Sequence, residues 1–279
     1  MKNVDMTEFY GGGAARNLLA KGFYGRFGFT LSEVLITLGI VGIVAAMTLP
    51  ALIQKQQEKV AVTRLKNIYS ALAQAFNSAI SEYGTIDNWC KIEYPDYPTF
   101  EATTKACSQI ISDRVMPYLR VIKDCNKKNN SECFAKERYT NRAGVNTWNT
   151  SKGFVVYKGM AITIQARNGD NISSLWCTGT INMKRSWDTY IRTCGDIYVD
   201  INGKQKPNRD GEDLFMFRMY KNGIVPAGRV WDGNYMESFD KHCRLGKGFG
   251  SCTAWVIFNE NMDYLHCDDL SWEGKTHCD

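Results

Sequence analysis

The chain begins with a polar, glycine-containing segment and then becomes almost wholly apolar. From Val34 to Gln54 no residue carries a charge. A helix that crosses a bilayer needs about 20 predominantly apolar residues, so this run predicts a membrane-spanning helix. One carboxylate, Glu33, stands at its start, and a charge within a membrane segment costs roughly 2.5–3.5 kcal/mol even on lenient insertion scales. Glu33 therefore needs a partner or a function.

Beyond the apolar run, apolar residues recur every three or four positions, which is typical of an amphipathic helix. Gly84 is a natural stop for this pattern. We therefore expect a single helix from about Phe29 to Tyr83. The positions expected on its apolar face are Leu65, Ile68, Tyr69, Leu72, Phe76, Ala79, Ile80 and Tyr83.

The remaining residues, 85–279, predict a globular head. Short apolar runs alternate there with turn residues, and Lys158-Gly159 and Asn222-Gly223 suit tight turns. We expect a mostly antiparallel β-sheet packed against the long helix, and hence an α+β fold. In this division residues 29–53 are the membrane helix and residues 54–84 are its amphipathic extension. The runs expected to form strands are 153–157, 160–164, 197–201 and 214–219.

Residues 1–28 form a leader with a mild excess of basic side chains. Basic flanks mark the cytoplasmic side of a first membrane segment, so we expect the head outside the cytoplasm. Three interpretations are open: a secretory signal peptide cut near Val44-Ala45-Ala46, an uncut signal anchor, or cleavage between Gly28 and Phe29. Only the third gives Glu33 a partner, because the new amino group of one subunit can pair with the carboxylate of its neighbour.

The start of the apolar run resembles the prepilin amino-terminal motif of type IV pilins and type II secretion pseudopilins. The resemblance rests on Gly28-Phe29-Thr30-Leu31-Ser32-Glu33-Val34-Leu35-Ile36, followed by Gly42 and Pro50. In that family a prepilin peptidase cuts after the glycine and methylates the new terminal phenylalanine. The resemblance therefore implies processing at Gly28 and Phe29, filament assembly through Glu33, and a helix kink at Pro50, which lacks a backbone donor.

The same resemblance implies a structural subunit and not an enzyme. Such a subunit crosses the inner membrane once, with its head outside the cytoplasm, and is then extracted into a helical filament. The implied partners are like subunits and other pilins, the prepilin peptidase, the inner-membrane assembly platform and membrane lipid. A periplasmic secretion pseudopilus, a cell-surface pilus and a DNA-uptake fibre all stay open. The competing interpretation is a membrane-anchored or secreted disulfide-rich binding protein that forms no filament.

Neither the motifs nor the net charge of the sequence support an enzyme or a nucleic-acid-binding protein. The sequence has no Gly-x-Ser-x-Gly elbow, no His-Glu-x-x-His, no Walker loop and no dinucleotide fingerprint. The net charge of +5 is mild and its basic residues are scattered, so electrostatics give no firm argument for nucleic acid.

Ten cysteines all follow the long helix, which fits disulfide formation outside the cytoplasm. Ten cysteines allow about 945 pairings. If each pairs with its nearest neighbour along the chain, the disulfides are Cys90–Cys107, Cys125–Cys133, Cys177–Cys194, Cys243–Cys252 and Cys267–Cys278.

Each of the three histidines directly precedes a cysteine: His242, His266 and His277. Zinc is an alternative for these pairs, but the usual Cys-x2-Cys and His-x3-His spacings are absent. Neighbouring residues on a strand also point to opposite faces. We therefore expect disulfides with incidental histidines.

Oxygen-bearing side chains cluster between residues 196 and 213, which contain four aspartates, two asparagines and one glutamate. Such residues can bind a hard cation, but their spacing does not match the EF-hand loop. Because Asp and Asn also serve turns, the residues favour a solvated turn between two strands. The resemblance adds calcium as an alternative, since some major pseudopilins hold it in a loop of this kind. It then implies Asp200, Asn202, Asp210 and Asp213 as ligands.

Overall fold

The computed structural model describes residues 28–90, 100–126, 132–148, 150, 152–167, 177, 193–228, 239–244, 246 and 250–279. The chain divides into two compact units, Met1–Ala51 and Leu52–Asp279. Of the expected leader, residues 1–27 lie outside the described part of the chain.

Helix α1 runs from Leu31 to Tyr83, as the sequence predicts. Its apolar part is long and apolar enough to cross a membrane, with an 18-residue window of mean hydropathy 2.3. No residue of that window is buried within the structure. The helix is continuous through Pro50, and the kink expected at this proline stays a prediction.

The part of α1 that belongs to the second unit packs on the head through one face. The buried positions confirm the amphipathic pattern at Leu65, Ile68, Leu72, Phe76 and Ala79, and add Val62 and Ala75. Tyr83 is an exception because 41% of it remains exposed. Its ring instead lies beneath the guanidinium of Arg114, 5.1 Å from the ring centroid.

The head contains a six-stranded sheet in the order β1-β4-β5-β6-β7-β8, in which every neighbouring pair is antiparallel. These strands are β1 Val121–Asp124, β4 Phe154–Val156, β5 Ala161–Ala166, β6 Gly195–Asp200, β7 Leu214–Tyr220 and β8 Gly223–Pro226. A second sheet pairs β2 Tyr139–Thr140 with β3 Asn146–Trp148. The four predicted strands are confirmed as β4 to β7, with small shifts at their ends.

Both predicted turns connect neighbouring strands of this sheet. Lys158 and Gly159 lie between β4 and β5 with φ values of 63° and 78°, and glycine reaches this region without steric cost. The β7–β8 hairpin forms where predicted, but its two turn residues are Lys221 and Asn222, one position earlier, because Gly223 pairs with Tyr220. Turn chemistry therefore predicts these hairpins correctly.

The sheet has an apolar core on each face. One core packs alternate residues of β5, β6 and β7 against α1, with the Tyr69 and Phe217 rings stacked at a centroid distance of 5.4 Å. The opposite face carries Tyr198 and Met216 and is covered by Tyr139 and its aromatic neighbours. Because both faces are covered, every residue of β6 and β7 is buried.

Two α-helices of the head are additions to the predicted elements. Helix α2, Phe100–Val115, buries Cys107, Ile111 and Val115 at four-residue steps. It is tied to β5 by the Ala166 amide, which donates to Ser108 Oγ at 2.9 Å. Helix α3, Thr253–Asn259, buries its first four residues near the carboxyl end of the chain.

All five predicted disulfides are present: Cys90–Cys107, Cys125–Cys133, Cys177–Cys194, Cys243–Cys252 and Cys267–Cys278. They close short loops of 8 to 17 residues. Each link restricts the unfolded chain, which typically adds 2–4 kcal/mol.

Candidate functional site

The amino-terminal motif forms a capping box at the start of α1. Thr30 is the residue before the first helical position, and its hydroxyl accepts from the Glu33 amide at 3.2 Å. The Glu33 carboxylate in turn accepts from the Thr30 amide at 2.8 Å and from its hydroxyl at 2.9 Å. This reciprocal arrangement satisfies backbone donors that a helix start otherwise leaves unpaired.

The residues around this box are open to their surroundings. Phe29 is 86% exposed, and an added Cβ at Gly28 would meet no atom within 4 Å. Large apolar side chains stay exposed from Leu31 to Ile53. A soluble monomer rarely presents so much contiguous apolar surface, so this stretch needs lipid or protein around it.

The acidic loop connects β6 to β7 and is held by its own carboxylates. Asp213 accepts from the backbone amides of Asn208 and Arg209, each at 2.7 Å, and from the Asn202 side-chain amide at 3.1 Å. Asp200, the last residue of β6, accepts from the Asn202 backbone amide at 3.0 Å. Asn202 therefore joins the two carboxylates.

A tyrosine from another part of the head completes the surroundings of Asp200. The Tyr139 hydroxyl, at the start of β2, donates to Asp200 Oδ2. Asp200 and Tyr139 are both fully buried. The expected solvated turn is therefore wrong, because β2 and its aromatic neighbours cover one end of the loop.

Asp210 faces a different partner. Its Oδ1 accepts from the amide of Gly250 at 2.9 Å, a residue within the loop that the Cys243–Cys252 disulfide closes. The structure thus brings Asp200, Asn202 and Asp213 together through direct hydrogen bonds and directs the fourth predicted ligand to the carboxyl-terminal segment.

Burial dominates the electrostatics of the loop. It raises the pKa of Asp200 to about 8, with a further contribution from the charge of Asp213. It raises the pKa of Asp213 to about 6 and that of Asp210 to about 7, although backbone amides oppose both shifts. Carboxylates desolvated in this way need a compensating proton or cation.

Two asparagine side-chain oxygens in the same loop accept no hydrogen bond from the described residues. These are Asn202 Oδ1 and Asn208 Oδ1, and both are buried. The Asn202 side-chain nitrogen also contacts the Lys206 carbonyl at 3.3 Å. No group of three or more His, Cys, Asp or Glu side chains gathers for a metal within the described ranges. A cation here would therefore need amide and carbonyl oxygens as well, which calcium accepts.

The comparisons with known proteins match both parts of this chain. The family model described as "Prokaryotic N-terminal methylation motif" matches residues 25–49. The one described as "Family of unknown function (DUF6613)" matches residues 51–247. The chain belongs to this family. No curated protein and no solved structure matches the chain.

The two family models match different candidate sites of this DUF6613 chain. The methylation-motif match contains Gly28, Phe29 and Glu33, and it confirms the type IV pilin-like character of the amino terminus. The DUF6613 match contains the six-stranded sheet and the acidic loop. Family membership by itself assigns no function to the head.

The cysteines of all three histidine–cysteine pairs in this DUF6613 chain are in disulfides, so none of them offers a thiolate to zinc. His266 Nε2 lies 2.8 Å from Glu58 Oε1 on α1. His277 Nδ1 lies 3.2 Å from the Asn261 side-chain nitrogen.

Two residues of these sites are absent from the sequence-based predictions. Thr30 could have been found, because Thr followed by Glu three positions later is the signature of a capping box. Tyr139 lies 61 positions from Asp200, and no local pattern links them.

Proposed function

We propose that this protein is a pilin-like structural subunit that is processed between Gly28 and Phe29 and assembles into a helical filament through its apolar helix. The observation that carries the proposal is the position of the processing motif, which lies directly before an exposed apolar helix with a single acidic residue at its start. The filament would be a type IV pilus or a type II secretion pseudopilus.

The apolar part of α1 supports both stages of this function. Before assembly, lipid would surround its exposed Leu, Ile and Val side chains, in a segment of sufficient length. After extraction, the same side chains would pack against neighbouring subunits. A charged Glu33 can then pair with the neighbour's amino terminus, which offsets the cost of burying both groups.

The head supports a location outside the cytoplasm. Five disulfides are rare in reducing compartments. The basic leader also favours an amino terminus on the cytoplasmic side. The role proposed for the head is therefore structural and extracytoplasmic, with the prepilin peptidase and the inner-membrane assembly platform as partners.

Intact mass and terminal sequencing of the protein from native membranes test the processing. We expect a chain that begins at Phe29 and is one methyl group heavier than its sequence. A chain that begins near Met47 would identify an exported signal-peptide substrate, and one that begins at Met1 an uncut anchor. Either of these results would reject the proposal.

Substitution of Glu33 tests assembly separately from insertion. We expect Glu33→Leu to leave membrane insertion intact and to abolish incorporation into filaments. Ser32→Leu is the matched control, because it introduces the same leucine one position earlier and keeps Glu33. This variant should still be incorporated. If Glu33→Leu is incorporated normally, the assembly role of this residue is wrong, and the anchored binding protein becomes the better interpretation.

We propose, as a second function of the head, that the acidic loop binds calcium. Three features support this: buried carboxylates at Asp200 and Asp213, the Oδ1 atoms of Asn202 and Asn208, which accept from no described residue, and the Lys206 carbonyl beside Asn202. The ligands would be Asp200, Asp213, that carbonyl and Asn202 Oδ1. Rotation of the Asn202 side-chain amide would bring Oδ1 to the position that its nitrogen holds in the structure. Bound calcium would neutralise the two desolvated carboxylates. Asn202 and Asp213 also line a pocket of about 490 Å³, which offers an entry path.

Calcium titration of the chelated full chain in detergent tests this second proposal. A ligand that binds only the folded state stabilises it by about 2.7 kcal/mol at a hundredfold excess over its Kd, so calcium should raise the Tm. Asp213→Asn should remove this response, whereas Asp210→Asn should keep it because Asp210 faces Gly250. An unchanged Tm in the unsubstituted protein would reject the calcium site.

A further inference from the structure

Tyr139 reaches the acidic loop from a separate sheet and is held there by packing. Its ring packs against those of Phe134 and Trp148, at centroid distances of 6.4 and 5.4 Å and steep interplanar angles. Both contacts are edge-to-face arrangements, which aromatic pairs prefer. The side chain is fully buried, so its hydroxyl has little freedom to move away from the loop.

The backbone of β2 fixes the same tyrosine relative to the loop. The Thr140 amide donates to the Asn208 carbonyl at 3.2 Å, and the Asp210 amide donates to the Thr140 carbonyl at 2.9 Å. These two bonds form a backbone bridge between Thr140 and Arg209 of the loop, directly beside Tyr139. The hydroxyl position is therefore set by backbone pairing as well as by ring packing.

The hydrogen bond from Tyr139 acts on one oxygen of Asp200. Oδ2 accepts from the phenol, while Oδ1 accepts from the Asn202 backbone amide at 3.0 Å. The two donors lie on opposite oxygens, so together they fix the rotation of the carboxylate about its last bond. The Gly203 backbone amide also donates to this carboxylate. Its two oxygens together have four lone pairs, so with three donors one lone pair remains for a cation.

We infer that Tyr139 is the positioning residue of the calcium loop and holds the Asp200 carboxylate in the orientation that binds the cation. The inference rests on the calcium site proposed above. Groups that hydrogen-bond to a metal ligand orient it, and their loss typically weakens metal affinity 10- to 100-fold. Tyr139 itself would not touch the cation.

Isothermal titration of the chelated full chain in detergent with calcium chloride tests this role. We expect Tyr139→Phe, which removes only the hydroxyl oxygen, to weaken calcium binding about tenfold or more. Tyr264→Phe is the matched control, because the Tyr264 hydroxyl donates to the Gly211 carbonyl of the same loop at 2.6 Å but to no proposed ligand. Tyr264→Phe should lower the Tm but leave the calcium affinity within about twofold of the unsubstituted chain. If Tyr139 had a purely structural role, the two variants would not differ in calcium affinity.

The possible results separate the two proposals. If the unsubstituted protein binds calcium and Tyr139→Phe binds equally well or more tightly, the positioning role is overturned and the calcium site stands. If the unsubstituted protein binds no calcium, the site itself is wrong and the inference fails with it. Should Tyr139→Phe not fold, Trp148→Phe carries the test, since it keeps the hydroxyl and loosens the packing of the Tyr139 ring. An affinity reduced severalfold would support the inference, and an unchanged affinity would overturn it.

Discussion

Thr30 and Glu33 hold each other through three hydrogen bonds at the first turn of α1. In the unassembled subunit the carboxylate of the proposed assembly residue is therefore bound locally, through Oε2. Its second oxygen remains for a neighbour's amino group. One side chain thus both starts the helix and serves the proposed subunit contact.

Loss of this capping box should weaken the helix start and reduce assembly. Replacing an N-cap threonine costs about 1 kcal/mol, so we expect Thr30→Ala to speed amide exchange at residues 31–34 and to lower the filament yield. Thr30→Ser keeps the hydroxyl and should behave like the unsubstituted chain. Equal amide exchange in Thr30→Ala and Thr30→Ser would contradict the cap.

The buried face of α1 should carry much of the stability of the head. Leu72 is fully buried against the sheet, and replacing such a leucine by alanine costs about 2–5 kcal/mol. We expect Leu72→Ala to lower the free energy of unfolding by that amount in detergent. Leu52 is 65% exposed, so Leu52→Ala should change it by less than about 0.5 kcal/mol.

The disulfide pairing predicts how serine substitutions combine. Cys125–Cys133 spans 8 residues, and closing a loop of this size is worth about 2–3 kcal/mol in the chain-entropy model. We expect Cys125→Ser, Cys133→Ser and the double variant to lose similar amounts of stability, because each breaks the same bond. Cys125→Ser combined with Cys177→Ser breaks two bonds, so its loss should be the sum of the two single losses. Additive losses for Cys125 and Cys133 would refute the pairing.

Asp210 should make the head less stable as the pH rises. Burial raises the pKa of Asp210 to about 7 from an ordinary value of 3.8, so the folded state binds the proton more tightly than the unfolded state. The stability from this proton is fully present below about pH 4 and is lost as the pH rises through about 7. The contribution of Asp210 to the free energy of unfolding should therefore fall by up to about 4 kcal/mol across that window.

Asp210→Asn supplies the comparison for this pH dependence. The amide keeps an acceptor for Gly250 and has no proton to lose, so its pH profile should be flatter than that of the unsubstituted chain in chelator. Denaturant unfolding between pH 4 and 8 provides the measurement. Parallel profiles for the two proteins would exclude Asp210 as the titrating group.

The amino-terminal half of the proposed function follows from local sequence. A charge-free apolar run, a carboxylate at its start and a glycine–phenylalanine pair before it lie within a few turns of one helix, and helix geometry brings such neighbours together without help from the rest of the chain. The hairpins near Lys158-Gly159 and Asn222-Gly223 are local for the same reason. Nearest-neighbour disulfides also close short loops, so their pairing depends mostly on chain proximity.

Only the tertiary structure decided which side chains surround the acidic loop. The resemblance to pseudopilins implies Asp200, Asn202, Asp210 and Asp213 as calcium ligands. The sequence cannot separate the two carboxylates joined by Asn202 from the one that faces Gly250. It also cannot place Tyr139 on Asp200, because that contact depends on how β2 packs over the sheet. Burial turns this expected solvated turn into a desolvated loop rich in carboxyl groups. Burial is a property of the whole packed head and not of any short segment.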